Sequence, residues 1–146
     1  MLFRERDGEL QVLLGHMGGP LWARKDDGAW SIPKGELDPD EDPLAGARRE
    51  FAEELGHAPP DGEVVELGEI RQRSGKRVIA FAVEGDFDPE TIVPGTFEMT
   101  WPPRSGRTQA FPEVDRVAWF DLAAAEAKLV GGQMQLLTRL AAARGD

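Results

Sequence analysis

The chain has no cysteine. Disulfides, thiolate metal sites and a cysteine nucleophile are therefore excluded, and this composition suits a reducing compartment such as the cytoplasm. Two histidines, His16 and His57, are too few for a histidine-rich zinc centre. Apolar residues never run for the ~20 positions that a bilayer-spanning helix needs, so no membrane partner is expected. The first residues, Met1-Leu2-Phe3-Arg4, go straight into a strand-like pattern rather than a leader. Positive charge is also scarce. The chain carries 17 Lys and Arg against 27 Asp and Glu, for a net charge of −10. A general nucleic-acid binder needs a basic face to neutralise phosphates, so nucleic acid is not an expected partner. A small anionic molecule remains compatible if metal ions and a few local cations offset the field.

With 146 residues, 40% of them hydrophobic, residues 1–146 are expected to form a single domain with a real core. Strand patterns run from Leu2 to Arg6 and from Leu10 to His16, around the hairpin dipeptide Asp7-Gly8. Leu21 to Arg24 reads as a short strand or an ordered loop. Trp30-Ser31-Ile32-Pro33 reads as a short strand that leads to Lys34-Gly35. Further strands are expected over Glu63 to Arg73, with Gly68 marking a bulge, then Val78 to Val83, Thr96 to Trp101 and Val114 to Phe120. Glu84 to Gly95 and Arg104 to Pro112 read as loops. Asp121 caps a helix to about Leu129, and a last helix covers Gln133 to Ala143. Helices at intervals among strands, with several hairpins, suggest an α/β fold with a mixed sheet covered by helices.

The densest chemical signal lies between Gly35 and Gly56. Asp42 and Pro43 form a helix start and Gly56 a stop. At about 100° per residue, Leu44, Ala47, Phe51 and Leu55 share a stripe that should face a core. Glu50, Glu53 and Glu54 share a neighbouring stripe, and spacings of three and four put them side by side. Like charges so placed repel, and a hard cation such as Mg²⁺ or Mn²⁺ would turn that repulsion into binding. A solvated acidic helix face has the same composition, so the whole stretch has to decide.

Gly35, Glu41, Arg49, Glu50, Glu53, Glu54 and Gly56 fall at every spacing of the pattern G-x5-E-x7-R-E-U-x-E-E-x-G-U, where U is bulky and aliphatic. The stretch resembles the box of the Nudix hydrolases, a family that cleaves nucleoside diphosphates linked to another moiety. Phe51 and His57 stand at the two U positions, and His57 departs from the pattern. The resemblance implies a Nudix-type α/β/α sandwich around a mixed β-sheet. It also implies a Mg²⁺- or Mn²⁺-dependent pyrophosphohydrolase acting on a small nucleotide-type substrate, as a monomer or homodimer. Carried over by position, Glu53 and Glu54 resemble the principal metal ligands. Glu50 resembles a further ligand or the base, and Glu41 an outer ligand or a hydrogen-bonding helper. Arg49 would orient carboxylates and is spaced for an i,i+4 pair with Glu53. A backbone carbonyl at Lys34 or Gly35 would complete the metal shell. The lead-in Trp30-x-x-Pro33-Lys34-Gly35 is similar to members acting on dinucleoside polyphosphates and diphosphoinositol polyphosphates, and the net charge disfavours the latter.

Family members often place one more acidic residue outside the box. Glu98 is the first candidate, on an alternating strand-like stretch, and Glu113 the second. Lys34 is the best-placed cation for phosphate. Trp30 is a candidate to stack on a base, with Trp22 and Trp101 behind it, although large aromatics also fill cores. A non-catalytic nucleotide-binding or regulatory module of the same fold is the alternative. It is weakened because both Glu53 and Glu54 are present. An incidental Ca²⁺-binding domain lacks the D-x-D-x-D-G loop it would need.

Overall fold

The computed structural model describes residues 1–33, 40–71, 75 and 77–144. Strand β1 (Leu2–Arg6) turns through Asp7-Gly8 into β2 (Glu9–Met17). Both turn residues take positive φ, 54° and 81°, the twist that a tight hairpin requires. Strand β3 (Trp30–Ser31) continues along the same edge of β2, opposite Gly15 and His16. The other edge of β2 pairs antiparallel with β8 (Val114–Asp121), from Gln11 to Met17. Beyond β1 lies β5 (Arg77–Glu84), parallel to it, and then β4 (Val64–Arg71), antiparallel to β5. The sheet is therefore mixed. Register on β4 shifts between Glu66 and Gly68, at the expected bulge.

Alternation along the strands builds two cores. Phe3, Val12 and Leu14 face one side, with Ala125 and Leu129 at helix α2 (Leu122–Lys128) and Leu136, Leu137 and Leu140 of α3 (Met134–Ala143). Leu2, Leu13, Val114 and Val117 face the other side, with Phe51 and Leu55 of α1 (Pro43–Leu55). Helices thus cover both faces, which is the expected sandwich. Burying Phe51 and Leu55 contributes about 1.5–3 kcal/mol each. Leu44 and Ala47, expected in the same stripe, are only half-buried. They line a cleft with Pro59, Pro60 and Phe81, where the first turn of α1 overhangs the sheet.

Two segments depart from expectation. Leu21 to Arg24 is a run of turns rather than a strand. The segment expected as a loop over Arg104 to Pro112 contains β7 (Thr108–Pro112), paired antiparallel with β6 (Thr96–Thr100) in a separate two-stranded sheet. Thr-Gln-Ala-Phe-Pro has no apolar alternation of its own, and β6 supplies its hydrogen-bond ladder.

His16 is fully buried on β2. Its Nε2–H donates to the Lys25 carbonyl (2.6 Å), and its Nδ1 meets the Asp115 carboxylate (2.9 Å). The ring packs edge-on against Trp30, with centroids 5.2 Å apart. It therefore ties the turns after β2 to β8. His16→Leu keeps the bulk but leaves the Lys25 carbonyl without its donor, which costs about 2 kcal/mol. We expect the melting temperature to fall by about 6 °C. An unchanged melting curve would show that the turns are held by other contacts.

Candidate active site

Helix α1 begins as its sequence dictates. Asp42 Oδ2 accepts from the Ala45 N–H (3.1 Å), and Pro43 occupies the first turn. Gly56 closes the helix with φ 81°, and its N–H donates to the Ala52 carbonyl (2.8 Å). A side chain at Gly56 would be strained and would also meet the Val93 carbonyl oxygen at 2.4 Å. The last turn of any helix leaves carbonyls without intrahelical partners. Here they dock the following chain. Val93 N–H donates to the Leu55 carbonyl and Gly95 N–H to the Glu53 carbonyl, both at 2.9 Å. Glu113 N–H in turn donates to the Gly95 carbonyl (2.8 Å), and the Glu113 carbonyl accepts from Gly18 N–H (3.0 Å). Gly95 must be small, because a Cβ there would lie 2.9 Å from the Glu53 carbonyl. The same position lies 3.9 Å from the Glu113 carboxyl carbon. Both ends of the β6–β7 hairpin are thus pinned to the acidic end of α1.

Arg49 organises the carboxylates. Its Nε and Nη2 donate to the two oxygens of Glu41 (2.8 and 2.9 Å), a bidentate pair. Its Nη1 donates to Glu53 (3.0 and 3.1 Å), the expected i,i+4 pair. Its Nη2 also lies 3.0 Å from Glu50. The hydrogen bonds that Arg49 donates to Glu41 and Glu53 hold the guanidinium far above its already high ordinary value. Glu50 is 13% exposed, whereas Glu53 is 55% exposed. Burial pushes the Glu50 carboxyl up from the usual range, against the nearby Arg49 charge, and Glu53 and Glu113 push the same way as burial. Glu54 is half-buried on the same helix. Among the described residues, no three histidine, aspartate or glutamate side chains are grouped as ion ligands. Glu41, Glu50 and Glu53 converge on Arg49 instead.

The remaining candidates separate. Lys34 and Gly35 lie outside the described residues. Glu98 is exposed on β6, across from Ala110. Glu113 is the acidic residue from outside the helix whose charge acts on Glu50. Its position comes from the backbone bonds at Gly95 and Gly18, which no local pattern announces. The expectation that Trp30 meets substrate is corrected by burial. Trp30 is 4% exposed, its Nε1–H donates to Asp26 (2.8 Å), and its ring packs edge-on against Phe120. The Arg116 guanidinium lies over its ring, 5.2 Å from the centroid.

A family model described as NUDIX domain matches residues 1–140. An RNA pyrophosphohydrolase of Cellvibrio japonicus (strain Ueda107) is 36% identical over 72 residues, covering 47% of this chain and 42% of that protein. The match therefore spans under half the length of that relative. The Caenorhabditis elegans Ap4A hydrolase in a binary complex superposes with a TM-score of 0.63 at 20% identity, over 99% of this chain and 94% of that one. The NUDIX domain of Shewanella oneidensis NrtR complexed with ADP ribose superposes with a TM-score of 0.61 at 21% identity, over 99% and 84% of the two chains. At these identities the two structures show the fold. Among the described residues, no helix is long and apolar enough to cross a membrane.

Proposed function

The chain belongs to the NUDIX domain family, and from that premise we propose that it is a divalent-metal-dependent pyrophosphohydrolase of a small nucleotide-type substrate, a nucleoside triphosphate or a dinucleoside polyphosphate. The observation that carries the proposal is the concentration of Glu41, Glu50 and Glu53 around one guanidinium, with Glu113 close enough to raise the proton affinity of Glu50. A single arginine leaves this group strongly negative. The donors are hard carboxylate oxygens, which fit Mg²⁺ or Mn²⁺. Glu53 and Glu54 are the proposed principal ligands, with Glu41 and Glu50 in support and a backbone carbonyl at Lys34 or Gly35 beside them. When bound, the cation neutralises phosphate charge and acidifies water.

The chain's own residues supply the rest. Glu50 or Glu113 accepts a proton from the attacking water. The water oxygen forms a bond to phosphorus, the bridging P–O bond breaks, and the leaving phosphate departs with the electron pair. A carboxyl whose proton affinity is raised by burial is better matched to base work near neutral pH than an ordinary glutamate. Arg49 keeps three carboxylates in register, and Lys34 offers a cation to phosphate. The alternative of a nucleotide-binding module without turnover gains nothing from the site, in which the carboxylates are intact.

The test is a hydrolysis screen with and without Mg²⁺ over nucleoside triphosphates, dinucleoside polyphosphates, nucleotide sugars, ADP-ribose and 5′-triphosphate RNA, with product identification. We expect metal-dependent cleavage of a triphosphate or a dinucleoside polyphosphate. Binding without cleavage across the whole panel would favour the module instead. Preference for RNA would overturn the expectation drawn from net charge.

A further inference from the structure

We propose that Gly15 and Gly18, at the end of β2, are positioning residues for catalysis. Together they form a seat for Val114 and Pro112, and the seat fixes Glu113 against the acidic end of α1. The proposal rests on the glutamates of α1 being the hydrolytic centre.

Three observations carry it. The first is space. Neither glycine takes a positive φ, so backbone conformation does not demand a glycine at either position. A Cβ at Gly18 would overlap the Pro112 carbonyl oxygen and lie 2.9 Å from its carbon. No side-chain rotation relieves that contact, because Pro112 meets Gly18 through its backbone. A Cβ at Gly15 would lie 2.9 and 3.2 Å from the two methyl carbons of Val114, a side chain that is buried and stiff at χ1. At the turn glycines Gly8 and Gly106, by contrast, a Cβ would meet nothing within 4 Å.

The second is the mounting of Glu113 between those two neighbours. Both of its backbone groups are held, each by a different segment. Its N–H donates to the Gly95 carbonyl (2.8 Å), and its carbonyl accepts from the Gly18 N–H (3.0 Å). On one side, Pro112 pairs with Thr96 of β6. On the other, Val114 pairs with Met17 where the register of β2 shifts, and Asp115 meets the buried His16 ring (2.9 Å). A side chain carried on a backbone fixed from both directions is preorganised for its task.

The third is where that mounting leads. The point that a Cβ of Gly95 would occupy lies 2.9 Å from the Glu53 carbonyl oxygen and 3.9 Å from the Glu113 carboxyl carbon. The Glu113 carboxyl group therefore sits beside the last turn of α1, where its charge acts on Glu50. A carboxylate at the negative end of a helix, near other glutamates, is placed against the local field. The backbone seat holds it there, as functional sites hold groups that their surroundings disfavour.

The test uses the full chain with Gly18→Ala, Glu113→Gln and the two combined. Kinetics are measured in Mg²⁺ on the best substrate of the screen, below the melting temperature of every variant. Gly18→Ala should melt below the wild type, as overpacked variants do, so melting alone does not decide. Pushing the Pro112–Glu113 peptide aside by about 1 Å should lower kcat by about 10², with KM kept. In the Glu113→Gln background the same change should lower kcat by less than about tenfold, because the group it displaces is already disabled. Losses that multiply in full, a loss carried by KM, or wild-type kcat in a folded Gly18→Ala would each overturn the proposal. If Gly18→Ala does not fold, Gly15→Ala takes its place. It should lower kcat, and adding Val114→Ala should restore it by making room for the new methyl. No loss in Gly15→Ala, or a loss that Val114→Ala leaves in place, overturns the proposal. If the wild type cleaves nothing on the panel, the hydrolase reading has failed separately. Amide NMR spectra of the metal-free protein then decide the placement. The folded glycine variant should shift the resonances of Gly95 and Glu54 together with that of Glu113, and shifts that stop at Glu113 overturn the proposal.

Discussion

Glu53→Gln and Glu54→Gln are each expected to lower kcat by about 10² to 10⁴, the loss of a few kcal/mol of transition-state stabilisation. Glutamine keeps the size of the side chain and one acceptor oxygen. It removes the charge that would hold the cation and offset the phosphates. The fold should survive both changes. The Glu53 side chain is 55% exposed, so its pair with Arg49 adds little to stability. Losing a negative charge on this helix face also relieves repulsion. Steady-state kinetics on the best substrate from the screen, together with melting curves in EDTA, separate the two effects. Near wild-type turnover in both variants would remove the helix from the active site. Glu113→Gln and Glu98→Gln extend the same experiment. Because Glu113 acts on Glu50, its variant should lose the more activity. The reverse order would restore Glu98 as the base.

Arg49→Gln should be nearly as damaging to activity, and its stability signature should be distinctive. The guanidinium binds Glu41 at both oxygens and contacts Glu50 and Glu53. Without it, three carboxylates lose their shared counter-charge and their common geometry. Displacing groups by about 1 Å at a reacting centre costs about 10² in rate, and we expect a fall of that order in kcat/KM. In EDTA the variant should melt below the wild type, because nothing screens the repulsion. Saturating Mg²⁺ should then raise its melting temperature by more than it raises that of the wild type, since the cation replaces the missing charge. Equal metal-induced shifts would mean that Arg49 and the metal act on different carboxylates.

Local sequence determined much of this protein. The helix over Pro43–Leu55 follows from Asp42, Pro43 and Gly56, each of which acts within one turn of its own position. The clustering of Glu50, Glu53 and Glu54 on one stripe, and the pairing of Arg49 with Glu53, follow from the helical period alone. The β1–β2 hairpin follows from Asp7-Gly8, and the bulge on β4 from Gly68. Each of these is set by neighbours a few residues away, so a pattern in the chain reports it.

Tertiary structure alone decided which outside carboxylate comes to the helix. Glu113 is brought there because carbonyls left over at the end of α1 accept from Val93 and Gly95, and Gly95 in turn accepts from Glu113. Those partners lie 38, 42 and 18 residues apart along the chain, and no periodicity records a bond at that range. The same holds for β7, which is a strand only because β6 lies beside it. It holds for Trp30, a candidate to stack on a base as well as to fill a core by its sequence, which is enclosed by His16, Phe120 and Asp26. The identity of the chemical groups is local, whereas which of them meet depends on how the hydrogen bonds unsatisfied by each element are satisfied by another.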